Sequence, residues 1–252
     1  MSMTFAQPTV GSAVPDLRGA PYLDILRTLH RELKPRRYLE IGSLRGDSLI
    51  LADCPTISID PKFEIARNVI GTKSQCHFYQ MSSDRFFESF DPKAILGGPL
   101  DMAFLDGMHL CEFLLRDFAN TERSCKQNSV IILHDCVPVE SGIAERTFTK
   151  SVIHQIHNNW WTGDVWRTVL LLLRQRPDLH ITVLDSQPTG LVCITNLDPQ
   201  STAIHDNYAD YVKEMHEWSL ETMGVQTLLD TMGLTSTSVI DSAEKLAKRF
   251  WL

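Results

Sequence analysis

The chain has 252 residues, of which 43% are hydrophobic, and a formal net charge of -7 at pH 7. This length suits one large domain with a substantial core. Its lysine and arginine residues are scattered, as at Arg27, Arg31 and Lys34, and the short basic run near Arg36 is expected to be a solvated helix end. A nucleic-acid partner is therefore not expected, since phosphate binding needs a basic face.

The sequence gives no sign of secretion or of membrane insertion. Residues 1–15 lack the basic head and apolar block of a signal peptide, and no apolar run reaches membrane-spanning length. The six cysteines have no pair at the two-residue spacing of zinc or redox motifs. We therefore expect reduced cysteines, a cytoplasmic location and no membrane partner.

Strand and helix patterns alternate along most of the chain. A helix is predicted to begin at Pro21 and to end before Pro35, and later helices are predicted over 47–52, 64–69, 84–90, 111–125 and from 162–166 to about 175. Strands are predicted over 38–41, 56–60, 75–80, 100–105, 129–133, 180–184 and 190–195. The alternation favours a doubly wound α/β sheet that closes with an antiparallel hairpin.

The chain divides into three predicted parts. Residues 1–19 are polar and punctuated by proline and glycine, which predicts a flexible N-terminal arm. Residues 20–197 form the core domain. Residues 198–252 form a helical C-terminal extension packed on the core, and this tail is a candidate homodimer interface.

The turn after the first strand carries the first functional signal. Gly42 and Gly46 allow a tight turn and close approach to a ligand. The second strand ends at Asp60, 20 residues after Glu40, near the spacing at which dinucleotide-type folds place an acid on a ribose. These features predict a nucleoside-bearing cofactor; the alternative is an ordinary turn capped by residues 47–48.

The segment Glu40-Ile41-Gly42-Ser43-Leu44-Arg45-Gly46-Asp47-Ser48 resembles the first motif of class I S-adenosylmethionine-dependent methyltransferases. Leu44 replaces the usual middle glycine, as in catechol-type O-methyltransferases. The fragments 105–109 and 133–135, with Asp-Gly-x-His and His-Asp, resemble a small-molecule branch of that family. The resemblance covers residues 20–197 and implies a Rossmann-like methyltransferase fold: a mostly parallel seven-stranded sheet with an antiparallel final strand and extra N- and C-terminal helices.

The resemblance, together with the position of ligands beyond the carboxyl ends of strands, predicts the cofactor site. Glu40 is expected near the amino-acid end, Asp60 on the ribose, and the turn after the third strand at the adenine. The full predicted set is Glu40, Gly42, Ser43, Gly46, Ser48, Asp60, Ser82, Ser83 and Asp106. For Ser82 or Ser83 the alternative is a helix cap.

Two acids end the fourth and fifth predicted strands. If these strands are neighbours, about 4.8 Å apart, Asp106 and Asp135 converge and need a cation or a proton between them. The resemblance implies a divalent metal ion on these two acids. Cys136 stands where the family has an amide or acid, so thiol and imidazole favour zinc, another transition metal or no metal.

His109 and His134 are candidate bases, because histidine titrates near neutral pH, and Asp135 completes the predicted catalytic set. For each histidine the alternative is a hydrogen-bonded structural role. The predicted function is S-adenosylmethionine-dependent methyl transfer to a small molecule, on a hydroxyl oxygen, by in-line attack at near-attack geometry. Two alternatives stay open: an NAD-type oxidoreductase, which Leu44 disfavours, and a non-catalytic cofactor-binding protein of the same fold.

Overall fold

The computed structural model describes residues 17–148 and 160–250. Within them lies a seven-stranded sheet of order β3-β2-β1-β4-β5-β7-β6. Its strands are β1 (Tyr38–Ile41), β2 (Thr56–Ile59), β3 (Cys76–Tyr79), β4 (Leu100–Leu105), β5 (Cys125–His134), β6 (His180–Leu184) and β7 (Leu191–Thr195). Strands β1 to β5 pair in parallel, and β7 is antiparallel to both β5 and β6. The predicted α/β fold with an antiparallel final strand is confirmed.

Helices flank the sheet and continue beyond it. They are α1 (Tyr22–Leu33), α2 (Ser83–Ser89), α3 (Pro92–Leu96), α4 (Cys111–Glu122), α5 (Trp166–Gln175), α6 (Ala203–Glu217), α7 (Leu220–Met223), α8 (Val225–Met232) and α9 (Ala243–Arg249). Short 3-10 turns lie at Leu49–Leu51, Gly142–Ala144 and Thr237–Ile240. None of the helices in the described ranges combines the length and apolar composition that a bilayer crossing requires.

The connection between β2 and β3 differs from prediction. The predicted helix over 64–69 is wrong, since residues 61–75 contain no helix, and the predicted helix over 47–52 is reduced to a 3-10 turn. The side chain of Asn68 accepts from the backbone amide of Ile70, at 3.0 Å, and of Gly71. Such local bonds give the backbone an alternative to helical hydrogen bonds.

Hydrophobic clusters cover both faces of the sheet. Successive residues of its central strands belong alternately to one cluster and to the other. In β4, Ala103 and Leu105 belong to one hydrophobic cluster, with Phe118 and Trp166. Met102 and Phe104 belong to the other, with residues of α1 and α9. Burial on both faces explains the nearly unbroken apolar sequence of β4 and β5.

The N-terminal helix is fastened to the far edge of the sheet. The amide of Tyr22 donates to the carbonyl of Gln187, at 2.9 Å, and the amide of Gly19 donates to the carbonyl of Asp185. This fastening sets α1 beside the carboxyl end of β5. Of the predicted arm, residues 1–16 lie outside the described residues, and Leu17 is buried.

Candidate active site

A cavity of about 850 Å³ opens beyond the carboxyl ends of β1, β2, β3, β4 and β5. Most of the predicted site residues line it: Gly42, Ser43, Ser48, Asp60, Ser82, Ser83, Asp106, His109, His134 and Asp135. Glu40 and Gly46 are not among its lining residues. The edge of an open α/β sheet at the strand carboxyl ends is where this class of fold binds ligands.

The two glycines of the first turn are required by the packing of the chain. Gly42 has a φ of +87°, and a Cβ there would lie 1.9 Å from the carbonyl oxygen of Asp106. A Cβ at Gly46 would lie 2.7 Å from a methyl carbon of Val69. Gly42 therefore lets the turn lie against the end of β4.

Asp60 holds the tip of the same turn. Its Oδ2 accepts from the amide of Leu44, at 2.8 Å, and its Oδ1 accepts from the amide of Lys62, at 2.7 Å. Leu44 has a φ of +38°, a conformation that is costly for a residue with a branched side chain. Asp60 therefore stabilises the turn in addition to lining the cavity.

Glu40 lies behind the cavity wall. It is fully buried, and its carboxylate accepts from the hydroxyl of Tyr38, at 2.7 Å, and from the hydroxyl of Ser48, at 2.9 Å. Burial raises its pKa to about 7, although these hydrogen bonds oppose the shift. In this structure Glu40 orients Ser48, which does line the cavity.

The ends of β4 and β5 bring together Asp106, His109, His134 and Asp135, here called the carboxylate-imidazole cluster. The Nε2 of His109 lies 3.2 Å from the Oδ2 of Asp135 and 3.6 Å from the Oδ1 of Asp106. The Nδ1 of His134 lies 3.2 Å from the Oδ1 of Asp106 and 3.4 Å from the Oδ2 of Asp135. Each imidazole therefore lies close to both carboxylates, so that acids and imidazoles alternate around the cluster.

Attraction between the carboxylates and the imidazoles determines the direction of the pKa shifts in this cluster. Burial by itself lowers the pKa of His109, but the Asp106 and Asp135 carboxylates outweigh it and raise the pKa to about 9. The same opposition leaves the pKa of His134 well above its usual range. Burial raises the pKa of Asp135, but the two histidines and a hydrogen bond from Thr189 hold it well below its ordinary value. The carboxylates therefore favour the protonated form of both imidazoles.

Asp135 and His109 are also held by the backbone around them. Asp135 has a φ of +55°, which turns the chain sharply after β5. The Nδ1 of His109 contacts the carbonyl oxygen of Trp161 at 2.7 Å. A Cβ at Gly163 would lie 1.8 Å from the carbonyl oxygen of His109, so glycine is needed where this loop closes on the site. The geometry of the cluster therefore depends on the loop before α5.

Alternative roles for some predicted residues are also resolved. Ser82 caps α2, with its hydroxyl accepting from the amide of Arg85 at 3.4 Å, and it lines the cavity as well. Trp166, at the start of α5, is a core residue and is 1% exposed. Trp160 and Trp161 are not among the residues that line the cavity, and His154 and His157 lie outside the described residues.

Two residues outside the predicted set also line the cavity. The ring of Tyr22 lies 4.1 Å from the ring of His134, and burial together with the Asp106 charge raises its pKa. Asp117, on α4, is 3% exposed and also lines the cavity. Its spacing from Phe113 and Leu114, four and three residues earlier, places it on the buried stripe of the helix and is the signal that identifies it.

The chain matches known proteins at two levels. Residues 39–136 match the family model described as a methyltransferase domain. No curated protein sequence matches the chain. Three solved structures illustrate its similarity in fold: the cofactor-bound protein Rv0187 from MTB, the O-methyltransferase TomG from Streptomyces achromogenes, and an O-methyltransferase from Bacillus cereus.

These similarities are distant in sequence and extensive in structure. Rv0187 is 18% identical with a TM-score of 0.52, and the match covers 75% of this chain and 83% of that one. TomG is 17% identical with a TM-score of 0.50, covering 69% and 78%, and the Bacillus cereus protein is 18% identical with a TM-score of 0.50, covering 72% and 83%. The methyltransferase-domain match and the strand order with its antiparallel β7 agree. Residues 39–136 therefore match a methyltransferase domain, and the chain shares the fold of these solved structures.

Proposed function

We propose that the protein transfers the methyl group of S-adenosylmethionine to a hydroxyl oxygen of a small-molecule acceptor. The observation that carries this proposal is that the first-motif turn and the carboxylate-imidazole cluster line one cavity. A donor held at the turn and an acceptor held at the cluster would therefore face each other. Holding two reactants at near-attack distance is the main source of rate in such a transfer.

The residues present fit the cofactor. Ser43 and Ser48 offer hydroxyl groups for its amino-acid end, and Asp60 lines the cavity where the ribose is expected. TomG was crystallised with SAM and the Bacillus cereus O-methyltransferase with SAH, which supports the same cofactor here. When bound, S-adenosylmethionine supplies a methyl group on a positively charged sulfur.

The carboxylate-imidazole cluster takes up the proton that the acceptor hydroxyl loses. His109 is the more accessible histidine, with 22% of its side chain exposed against 7% for His134. We assign it the transfer of the hydroxyl proton at Nε2, with Asp135 stabilising the imidazolium that results. A cationic ligand beside His109 lowers its pKa, because like charges repel, and so favours the neutral ring that accepts a proton. The O–H bond breaks, a C–O bond forms, and the S–C bond to the donor breaks, leaving a neutral thioether.

The donors also fit a divalent metal ion. Ligand atoms of Asp106, His134 and Asp135 all lie within 4.8 Å of one another. Cys136 is turned away, because its thiol donates to the His134 carbonyl at 3.1 Å. Two carboxylates with an imidazole suit a borderline transition metal better than Mg²⁺, which prefers oxygen ligands. Such an ion would be held by these three residues and would act as a Lewis acid toward the acceptor oxygen.

Metal binding is tested separately from methyl transfer. Equilibrium dialysis of the protein against Zn²⁺, Mn²⁺ or Mg²⁺ should give one bound transition-metal ion per chain and weak Mg²⁺ binding. Asp135→Asn should reduce the bound fraction. Retention of no ion at micromolar free Zn²⁺ and Mn²⁺ would remove the metal from the proposal without affecting the cofactor assignment.

The function itself is tested by calorimetric titration with S-adenosylmethionine, S-adenosylhomocysteine and NAD. Binding of the first two without NAD is expected and excludes the oxidoreductase. Methyl transfer to a panel of hydroxylated small molecules then excludes the non-catalytic alternative. A cytoplasmic location, the absence of a nucleic-acid partner and a homodimer through residues 198–252 stay predictions from the sequence.

A further inference from the structure

Thr189 lies in the turn between β6 and β7, and its hydroxyl donates to the Oδ1 of Asp135. The two residues stand 54 positions apart in the chain, and Thr189 is 1% exposed. A carboxylate accepts hydrogen bonds and does not donate them, so the hydroxyl is the donor, and bonds to a charged acceptor are the stronger kind. Thr189 is not among the residues that line the cavity. Its hydroxyl therefore reaches the site through Asp135.

The two carboxylate oxygens of Asp135 have different partners. Oδ1 accepts from Thr189, whereas Oδ2 lies 3.2 Å from the Nε2 of His109 and 3.4 Å from the Nδ1 of His134. The torsion that turns a carboxylate about its Cβ–Cγ bond has broad energy minima, so the side chain by itself does not fix this orientation. The bond at Oδ1 therefore keeps Oδ2 directed toward the two imidazoles.

The backbone around Thr189 is itself fixed to the end of β5. The amide of Val137 donates to the Thr189 carbonyl at 2.9 Å. A Cβ at Gly190, where φ is +77°, would lie 2.1 Å from a methyl carbon of Val137, so glycine lets the turn approach this closely. Thr189 is therefore a donor held in place by its own main chain, which is the support that keeps a site residue at its working geometry.

We propose that Thr189 is a positioning residue for methyl transfer, whose hydroxyl holds the Asp135 carboxylate with Oδ2 facing His109. The inference rests on the proposed function, in which Asp135 stabilises the imidazolium that forms when His109 takes the acceptor proton. Thr189 itself gives up no proton and forms no bond to the reacting atoms. Loss of its hydroxyl should therefore affect the rate of transfer and leave donor binding intact.

Thr189→Val removes the hydroxyl and keeps a branched side chain of similar shape. We expect kcat to fall by roughly 10-fold to 100-fold, the usual cost of losing the hydrogen-bond partner of a site residue. The KM for S-adenosylmethionine and the Kd for S-adenosylhomocysteine should stay close to those of the wild-type protein. Thr189→Ser keeps a hydroxyl donor and should recover most of the lost rate. Steady-state kinetics and calorimetric titration measure these quantities.

Thr56→Val is the matched control. Thr56 is fully buried, and its hydroxyl donates to the carbonyl of Cys54 at 2.8 Å. It begins β2, at the edge of the sheet opposite the cavity. This variant also loses a buried hydroxyl and its hydrogen bond, but it should retain the wild-type kcat. Thermal melts of both valine variants separate a loss of stability from a loss of orientation at the site.

A double variant tests whether Thr189 acts through Asp135. In an Asp135→Ala background, Thr189→Val should lower kcat no further, because the group that the hydroxyl holds is absent. Three results would overturn this inference alone: wild-type kcat in folded Thr189→Val, a Thr189→Ser variant no faster than Thr189→Val, or losses that multiply in the double variant. Failure of the wild-type protein to bind S-adenosylhomocysteine would instead overturn the proposed function.

Discussion

The Nε2 of His109 lies 3.2 Å from the Oδ2 of Asp135, although the two residues stand 26 positions apart in the chain. This contact joins the loop after β4 to the end of β5. It gives His109 a carboxylate partner at the end of β5, an arrangement that suits the proton transfer proposed for this residue.

We expect His109→Ala and Asp135→Asn each to lower methyl transfer by on the order of 10²-fold to 10⁴-fold, the usual contribution of acid-base catalysis. The dissociation constant for S-adenosylhomocysteine should change by only a few-fold, because neither residue lies at the first-motif turn. Turnover and ligand binding are measured in parallel. His180→Ala, at an exposed position on β6, is the control and should match the wild-type protein. Undiminished turnover in both site variants would exclude a role for the pair.

Gly42→Ala should destabilise the protein far more than Gly71→Ala. Both glycines have a positive φ, of +87° and +54°, so both substitutions carry a backbone penalty of about 1–2 kcal/mol. Only at Gly42 would the new methyl group also meet a backbone oxygen, that of Asp106, whereas nothing lies within 4 Å of a Cβ at Gly71. Denaturant unfolding of the two variants measures the difference. Equal losses would show that packing against β4 does not constrain Gly42.

The buried histidine of α1 should make the fold sensitive to acid. His30 is 8% exposed, neither ring nitrogen has a hydrogen-bond partner among the described residues, and burial with the nearby Lys73 charge lowers its pKa from 6.5 to about 4. The unfolded chain therefore takes up the proton first. Stability from the neutral ring is fully present above pH 6.5 and is lost as the pH falls through 4, by about 3 kcal/mol in total.

His30→Phe should remove that part of the acid sensitivity, because the substitution keeps an aromatic ring against Tyr38, whose ring lies 4.8 Å away. The free energy of unfolding, measured from pH 7 to pH 4, should fall less steeply in the variant than in the wild-type protein. Parallel curves would argue that His30 retains a normal pKa in the folded state.

The buried ion pair between Arg176 and Glu122 should contribute strongly to the stability of the fold. Its two charged side chains are 4% and 3% exposed, and both guanidinium Nη atoms donate to the Glu122 carboxylate at 2.8 Å. Arg176→Ala leaves the Glu122 charge buried without a cation, with the amide of Asp198 still donating to it at 3.0 Å, which should cost about 3–5 kcal/mol in the free energy of unfolding.

Two comparisons test that assignment. Arg27→Ala removes the exposed pair with Asp24 and should cost less than about 1 kcal/mol. The double variant Arg176→Met with Glu122→Leu should recover much of the stability, because no unpaired charge stays buried. A single-variant cost no larger than that of Arg27→Ala would contradict the proposed burial energetics.

The local pattern of apolar and polar residues was sufficient to predict much of the fold. The apolar runs 100–105 and 129–133 predicted β4 and β5, and the carboxyl-terminal positions of Asp60, Asp106 and Asp135 placed them at the cavity edge. The prediction of a helix over 64–69 was wrong. In this weakly periodic segment the side chain of Asn68 accepts from local amides, and the amide of Glu64 donates to the Leu44 carbonyl in the first turn. The periodicity of apolar residues carries no information about such contacts.

The sequence by itself determined the order of strands and helices and the residue types at the strand ends, since both follow from local spacing and composition. Only the tertiary structure decided which of those side chains meet. The register that pairs Leu105 with Leu133 brings His109 to Asp135, and the packing of α4 buries Asp117 at the cavity wall. These contacts join residues that are distant along the chain, so they depend on strand register and helix orientation, which no local pattern specifies.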